Sequence, residues 1–208
     1  MHGLINKALQ SFFSDSFGPA AWRDIALRAG LGRVLDSDGF EAMQNYDDAV
    51  TVSMLDAAAV TLRRPKESLL EDLGTYLVSH ERMEPLRRLL RFGGVSFTDF
   101  LYSLDDLQGR SRLAVADLAV PDLSIREIGP DSFRLMCRGQ LPGFGHVLVG
   151  VLRALADDYG ALAVLEHAGE GVDCCDGNEI PCCESIEIVV HDPAHQDAKR
   201  FELAAETF

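Results

Sequence analysis

The hydrophobic period of this chain changes at Pro121, and that change divides whatever the chain folds into. Before it, apolar residues recur at steps of three and four; after it, alternation by two appears, which a helix cannot bury on one face. Leu4, Ile5, Ala8, Leu9, Phe12 and Phe13 predict an amphipathic helix over residues 3 to 17, stopped by Gly18-Pro19. Trp22, Ile25, Ala26 and Ala29 carry a second helix as far as Gly30. Past a Gly/Asp-rich turn between Asp36 and Gly39, the series Tyr46, Val50, Met54, Leu55, Ala58, Leu62 marks a longer helix closed by Arg64-Pro65. Leu69, Leu70, Leu73, Tyr76 and Leu77 give a fourth, and Pro85 to about Phe92 a fifth, broken by Gly93-Gly94. A sixth, opened by Ser96 or Thr98, holds Phe100, Leu101, Leu104 and Leu107.

Beyond Pro121, Leu123 and Ile125, then Phe133, Leu135 and Cys137, predict two half-buried strands joined across Gly129-Pro130. Val147, Leu148, Val151, Leu152 and Leu155 return to helical spacing, and Leu162 to Leu165 and Ile186 to Val190 supply two more strands around a cysteine-bearing loop. Helices followed by strand-strand-helix-strand-strand specify an α+β fold with an antiparallel sheet. The expectation is one domain over 1–208: a helical part to 118, an α+β part over 119–191 and a polar tail over 192–208.

Charge narrows the partners. With 19 Lys+Arg against 33 Asp+Glu, the formal net charge is −14, which argues against nucleic acid and against anionic membrane surfaces. No run of about 18 apolar residues is present to span a bilayer. The opening Met-His-Gly-Leu-Ile-Asn-Lys-Ala-Leu-Gln lacks the small-residue cleavage site of a secretory signal, so a cytoplasmic location is expected. No nucleophile elbow, Walker loop or zinc-protease motif occurs, and Gly143-Phe144-Gly145 followed by Gly150 lacks the leading strand of a dinucleotide fingerprint. The chain reads as regulatory, not enzymatic.

The opening Met-His-Gly-Leu-Ile-Asn-Lys-Ala-Leu, Trp22 before a helix, Tyr46-Asp47-Asp48, Leu70 to Gly74 with Leu77, and the stretch Val147 to Gly150 together resemble the haem-nitric oxide/oxygen binding (H-NOX) family over nearly the whole length. That resemblance implies haem b held between a helical and an α+β part, a diatomic gas (NO or O2) as ligand, and a separate partner such as a histidine kinase or diguanylate cyclase. The family's signature is a proximal His, twelve residues, Pro, then Tyr-x-Ser-x-Arg against the propionates. Twelve residues separate Gln108 from Pro121, so the register places Gln108 where the family has its iron-ligating histidine. The Tyr-x-Ser-x-Arg region falls within Cys137 to Pro142, where Arg138 is the nearest cation. On one continuous helix Leu101 and Leu104 share the face of Gln108 as an apolar pocket wall, and Tyr102 lies about 120° away. His146 and Cys137 are the other candidate axial ligands, and His2 and His80 the remaining histidines weighed. Arg110, Arg112, Arg126, Arg134, Arg138 and Arg153 all fall in the half where the family contacts the propionates.

A second constellation allows a different function. Cys174-Cys175 and Cys182-Cys183 flank a loop between strands, with Cys137 and His167 upstream. One cysteine of each pair with Cys137 and His167 would give zinc four ligands, an arrangement similar to the zinc site of some bacterial H-NOX members. The alternative to gas sensing is thus a haem-free module that senses redox state through a Cys/His zinc or thiol site. Five cysteines are an odd number, and in a reducing cytosol thiols or ligands are expected over disulfides.

Overall fold

Nine α-helices and four strands follow the predicted order in a computed structural model that describes residues 1–36, 39–91, 94–115, 120–139, 143–170 and 183–191. Helix α1 (Gly3–Phe17) starts on His2, whose Nδ1 accepts the Leu4 N–H at 3.2 Å. Pro19 opens α2 (Pro19–Arg28), and a short α3 (Gly32–Asp36) forms where the sequence suggested a turn to begin. Asp47 caps α4 (Asp48–Leu62), which Arg63 ends in a left-handed conformation, φ 54°. Helix α5 (Lys66–Ser79) and α6 (Glu84–Arg91) flank a 3-10 turn over Glu81–Met83.

The segment expected to form one helix from Ser96 to Gln108 is instead three pieces. Ser96 and Asp99 close a reciprocal capping box at the start of α7 (Phe97–Tyr102). A 3-10 turn over Ser103–Asp106 follows, and α8 (Leu107–Ala114) resumes beyond it. The break has local causes. Arg110 donates to the Ser103 carbonyl at 2.7 Å, and Asp105 accepts the Ile125 N–H at 2.8 Å, pinning the turn to the first strand. Reckoning faces at 100° per residue from Leu101 to Gln108 therefore fails across the turn.

Strands β1 (Asp122–Gly129) and β2 (Ser132–Arg138) make the expected hairpin, turning at Pro130-Asp131 with Asp131 at φ 55°. After α9 (Phe144–Tyr159), β3 (Leu162–Glu170) and β4 (Cys183–His191) complete an antiparallel sheet in the order β1-β2-β4-β3. Phe133, Leu135 and Cys137 face inward with Ile186, Ile188 and Val190. One continuous apolar core joins them to Leu152 and Leu155 of α9 and to Phe12, Phe13, Met54 and Leu69 of the helical part.

Helix α9 crosses α5 closely enough to exclude a methyl group. A Cβ on Gly150 would lie 1.9 Å from the Glu71 carbonyl oxygen, and one on Gly74 would lie 2.0 Å from that of Val147. Thr75 Oγ1 donates to the Glu71 carbonyl at 3.2 Å and to that of Gly150 at 3.4 Å. Because the obstacles are backbone atoms, the helices must separate to admit a side chain. Gly150→Ala is expected to cost about 2 kcal/mol or more, read as a lowered urea midpoint at unchanged m-value. A neutral outcome would mean that the crossing is looser than described.

Candidate functional site

Gln108 lies in the first turn of α8, half-buried, and its Nε2 donates to the Val120 carbonyl at 3.3 Å. Ser111 Oγ donates to the Gln108 carbonyl at 2.9 Å. The amide thus clasps α8 to the residue just before Pro121. Pro121 is buried, and its ring lies against Gly139: a Cβ there would sit 2.9 Å from Pro121 Cβ and Cγ. Leu101 and Leu104 are 0% and 1% exposed, so no space as large as a water molecule opens on them; they are core. Tyr102 points outward, as expected, and donates to Glu127 at 3.0 Å.

The second half of the expected anchor is equally committed. Cys137 is a buried free thiol, pushed up to about 12 by burial and then by the carboxylates of Glu184 and Asp122, so it is neutral. Arg138 faces Asp122 at 3.9 Å. The six arginines do not gather: Arg110 is on Ser103, Arg134 on Glu187 at 2.8 Å, Arg153 on Glu71 at 3.3 Å, and Arg112 and Arg126 are exposed.

A haem needs an axial donor for iron and cations or hydroxyls for two carboxylates. Position 108 offers an amide whose N–H is already given to Val120, the anchor strand offers a neutral thiol, and Gly139 is closed off by a proline ring. These residues do not fit the group. A groove of ≈ 590 Å³ opens elsewhere, between α2 and α4, lined by Leu27, Arg28, Val60 and Arg63.

Sequence reasoning missed the most organised polar cluster, at the start of α9. The Glu184 side chain on β4 is 6% exposed, yet both its oxygens are engaged: Oε1 accepts the Gly143 N–H at 2.6 Å, and Oε2 accepts the Gly145 N–H at 2.9 Å and faces His167 Nε2 at 2.8 Å. The Gly169 N–H donates to His167 Nδ1 at 3.3 Å, which assigns the proton of a neutral His167 to Nε2. A Cβ on Gly145 would meet the Glu184 carboxylate at 2.4 Å, so the glycine admits the cluster. His146 stacks on His167 with centroids 4.0 Å apart, and its Nδ1 lies 3.5 Å from Glu71 Oε1, buried without a hydrogen bond. The available signal was parity: Glu184 shares its face with Ile186 and Ile188, an acid in an inward register.

Among the described residues no zinc arrangement is assembled. Both ring nitrogens of His167 are engaged by protein groups, and Cys183 is disulfide-bonded, contrary to the expectation of free thiols. Cys174, Cys175 and Cys182 lie outside the described residues, among which no group of three or more His, Cys, Asp and Glu is placed to hold a metal. His2 caps α1, and His80 caps the 3-10 turn by accepting the Arg82 N–H at 3.3 Å while stacking on Tyr76.

The profile of the family described as Haem-NO-binding matches residues 2–167. Among curated relatives, soluble guanylate cyclase gcy-31 of Caenorhabditis elegans is 21% identical over 76% of this chain and 22% of its own length. Soluble guanylate cyclase 89Db of Drosophila melanogaster is 20% identical over 87% of this chain and 27% of its own. The chain thus spans about a quarter of the length of these relatives. Among solved structures, a Cs H-NOX mutant carrying an unnatural amino acid superposes with TM-score 0.75 at 12% identity, covering 93% of this chain and 98% of the other. The Fe(II) unliganded H-NOX protein from K. algicida gives 0.72 at 13%, covering 92% and 97%.

Two outcomes follow from the geometry. Glu184→Ala strands two helix N–H groups and His167 in the interior and is expected to cost about 3 kcal/mol by urea denaturation. The second concerns alkali. Burial raises Cys137 and Tyr159, and burial with a bond to Asp15 raises Tyr76, so each is harder to ionise folded than unfolded. Their contribution is whole below the unfolded values, about 8.5 for the thiol and about 10 for tyrosine, and is lost as pH climbs toward the folded ones. Stability should fall above about pH 9, and native Cys137 should resist iodoacetamide at about pH 8 while reacting in urea; rapid native alkylation would refute the buried neutral thiol.

Proposed function

Because the chain belongs to the Haem-NO-binding (H-NOX) family, we propose that it is a regulatory domain that passes a conformational change to a separate output protein, of the histidine kinase or nucleotide cyclase class. The observation carrying this reading is the extent of the match. The family profile covers residues 2–167, and the guanylate cyclase relatives match over 76% and 87% of the chain.

The fold supplies a route for such a change. Glu184 fastens the start of α9 to β4, and the Gly74–Gly150 crossing fastens its middle to α5, so α9 cannot shift without moving both sheet and helices. Among the described residues no helix is long and apolar enough to cross a membrane.

The family's chemistry gives a second reading of the input: haem b binding NO or O2, with iron supplying the gas site. Family membership favours it, and it requires an iron ligand that Gln108 does not provide.

The test is made on the output protein. Purified chain, added in increasing amounts to purified histidine kinases and diguanylate cyclases of the same organism, should change the rate of one of them at least about twofold and saturably, while showing neither activity alone. No effect on any of them would overturn the proposal.

A further inference from the structure

We infer that this H-NOX domain works without haem: the clasp between Gln108 and Val120 stands where an iron–imidazole bond would hold α8, and the anchor strand has been turned to internal contacts. This rests on the side chains of the chain and not on the identity of its output protein.

Three independent observations converge. First, the register position of the iron ligand carries an amide, a weak donor to haem iron, and its N–H is given to the Val120 carbonyl at 3.3 Å. Second, of the stretch from Cys137 to Pro142 that should grip two propionates, residues 140–142 lie outside the described residues; of the rest, Cys137 is buried in the core, Gly139 has its Cβ position closed at 2.9 Å by Pro121, and Arg138 is directed at Asp122 at 3.9 Å. In a chain of net charge −14, a dianionic ligand needs local cations, and the nearby arginines are engaged elsewhere or exposed. Third, Leu101 and Leu104 are sealed into the same core that joins helices to sheet, so the face expected to line the pocket is, among the described residues, closed by side chains.

The functional consequence is specific. A gas acts on an H-NOX domain by competing for iron; a hydrogen bond between an amide and a backbone carbonyl offers it nothing to compete for. The domain then holds α8 permanently fastened to the segment before β1, and any regulation comes from contacts made with its partner.

The experiment titrates haem into the purified wild-type chain, Gln108→His, and the control Leu113→His, which places an imidazole on the 90%-exposed outer face of the same helix. Soret absorbance, its response to NO, and Tm are read for each, with circular dichroism confirming folding. Wild type and Leu113→His should give the spectrum of free haem with no rise in Tm. Gln108→His, which restores an imidazole but neither the propionate anchor nor space in the core, should gain no more than Leu113→His. Saturable one-to-one binding by the wild type would overturn the inference. Saturable one-to-one binding by a folded Gln108→His, with a Soret band that shifts on NO, would equally overturn it, because the core would then admit the group.

Discussion

A carboxylate under the first turn of α9 fixes the helix on which the two halves of this protein meet. Glu184 would be costly to bury alone; it is tolerated because two backbone N–H groups and an imidazole meet both oxygens. The helix gains an acceptor for N–H groups that have no partner within the helix, at the end where negative charge is favoured. Strand β4 gains a fixed position beneath the helix, and with α9 placed, the glycine-lined crossing with α5 brings the helical part onto the sheet. The stacked pair of His146 and His167 fills the space between these elements.

Most of the architecture was legible in the sequence because its apolar periods are clean and its breakers strong. Gly18-Pro19, Arg64-Pro65 and Gly129-Pro130 each mark a boundary that the structure also has. What the periods could not convey was tertiary. The helix expected through Gln108 breaks after Tyr102 because Arg110 and Asp105 take up backbone groups there, and no apolar pattern records a side chain of that kind. Nothing in the apolar periods marks the glycines at 74 and 150 as a crossing, since a close approach leaves no trace on either helix considered singly.

The site was legible in one respect and obscure in another. Counting to Pro121 singled out Gln108 as the register position of the ligand; what the structure shows of it is a place in the first turn of α8 with its amide across to Val120. The six arginines that seemed to form a set do not gather: Arg110, Arg134, Arg138 and Arg153 each meet a different carbonyl or acid, and Arg112 and Arg126 are exposed. Glu184 escaped attention because charged residues in strands are ordinarily outward, and only the parity of Ile186 and Ile188 betrays it.

A core that closes on its own side chains has a consequence for inheritance. Where a prosthetic group completes the interior, losing its ligand leaves a hole, and the lineage loses shape along with chemistry. Where leucines, phenylalanines and isoleucines from both halves already meet, the scaffold can outlive its guest, and mutation is free to retire the sensor while selection keeps the scaffold for whatever leans against it.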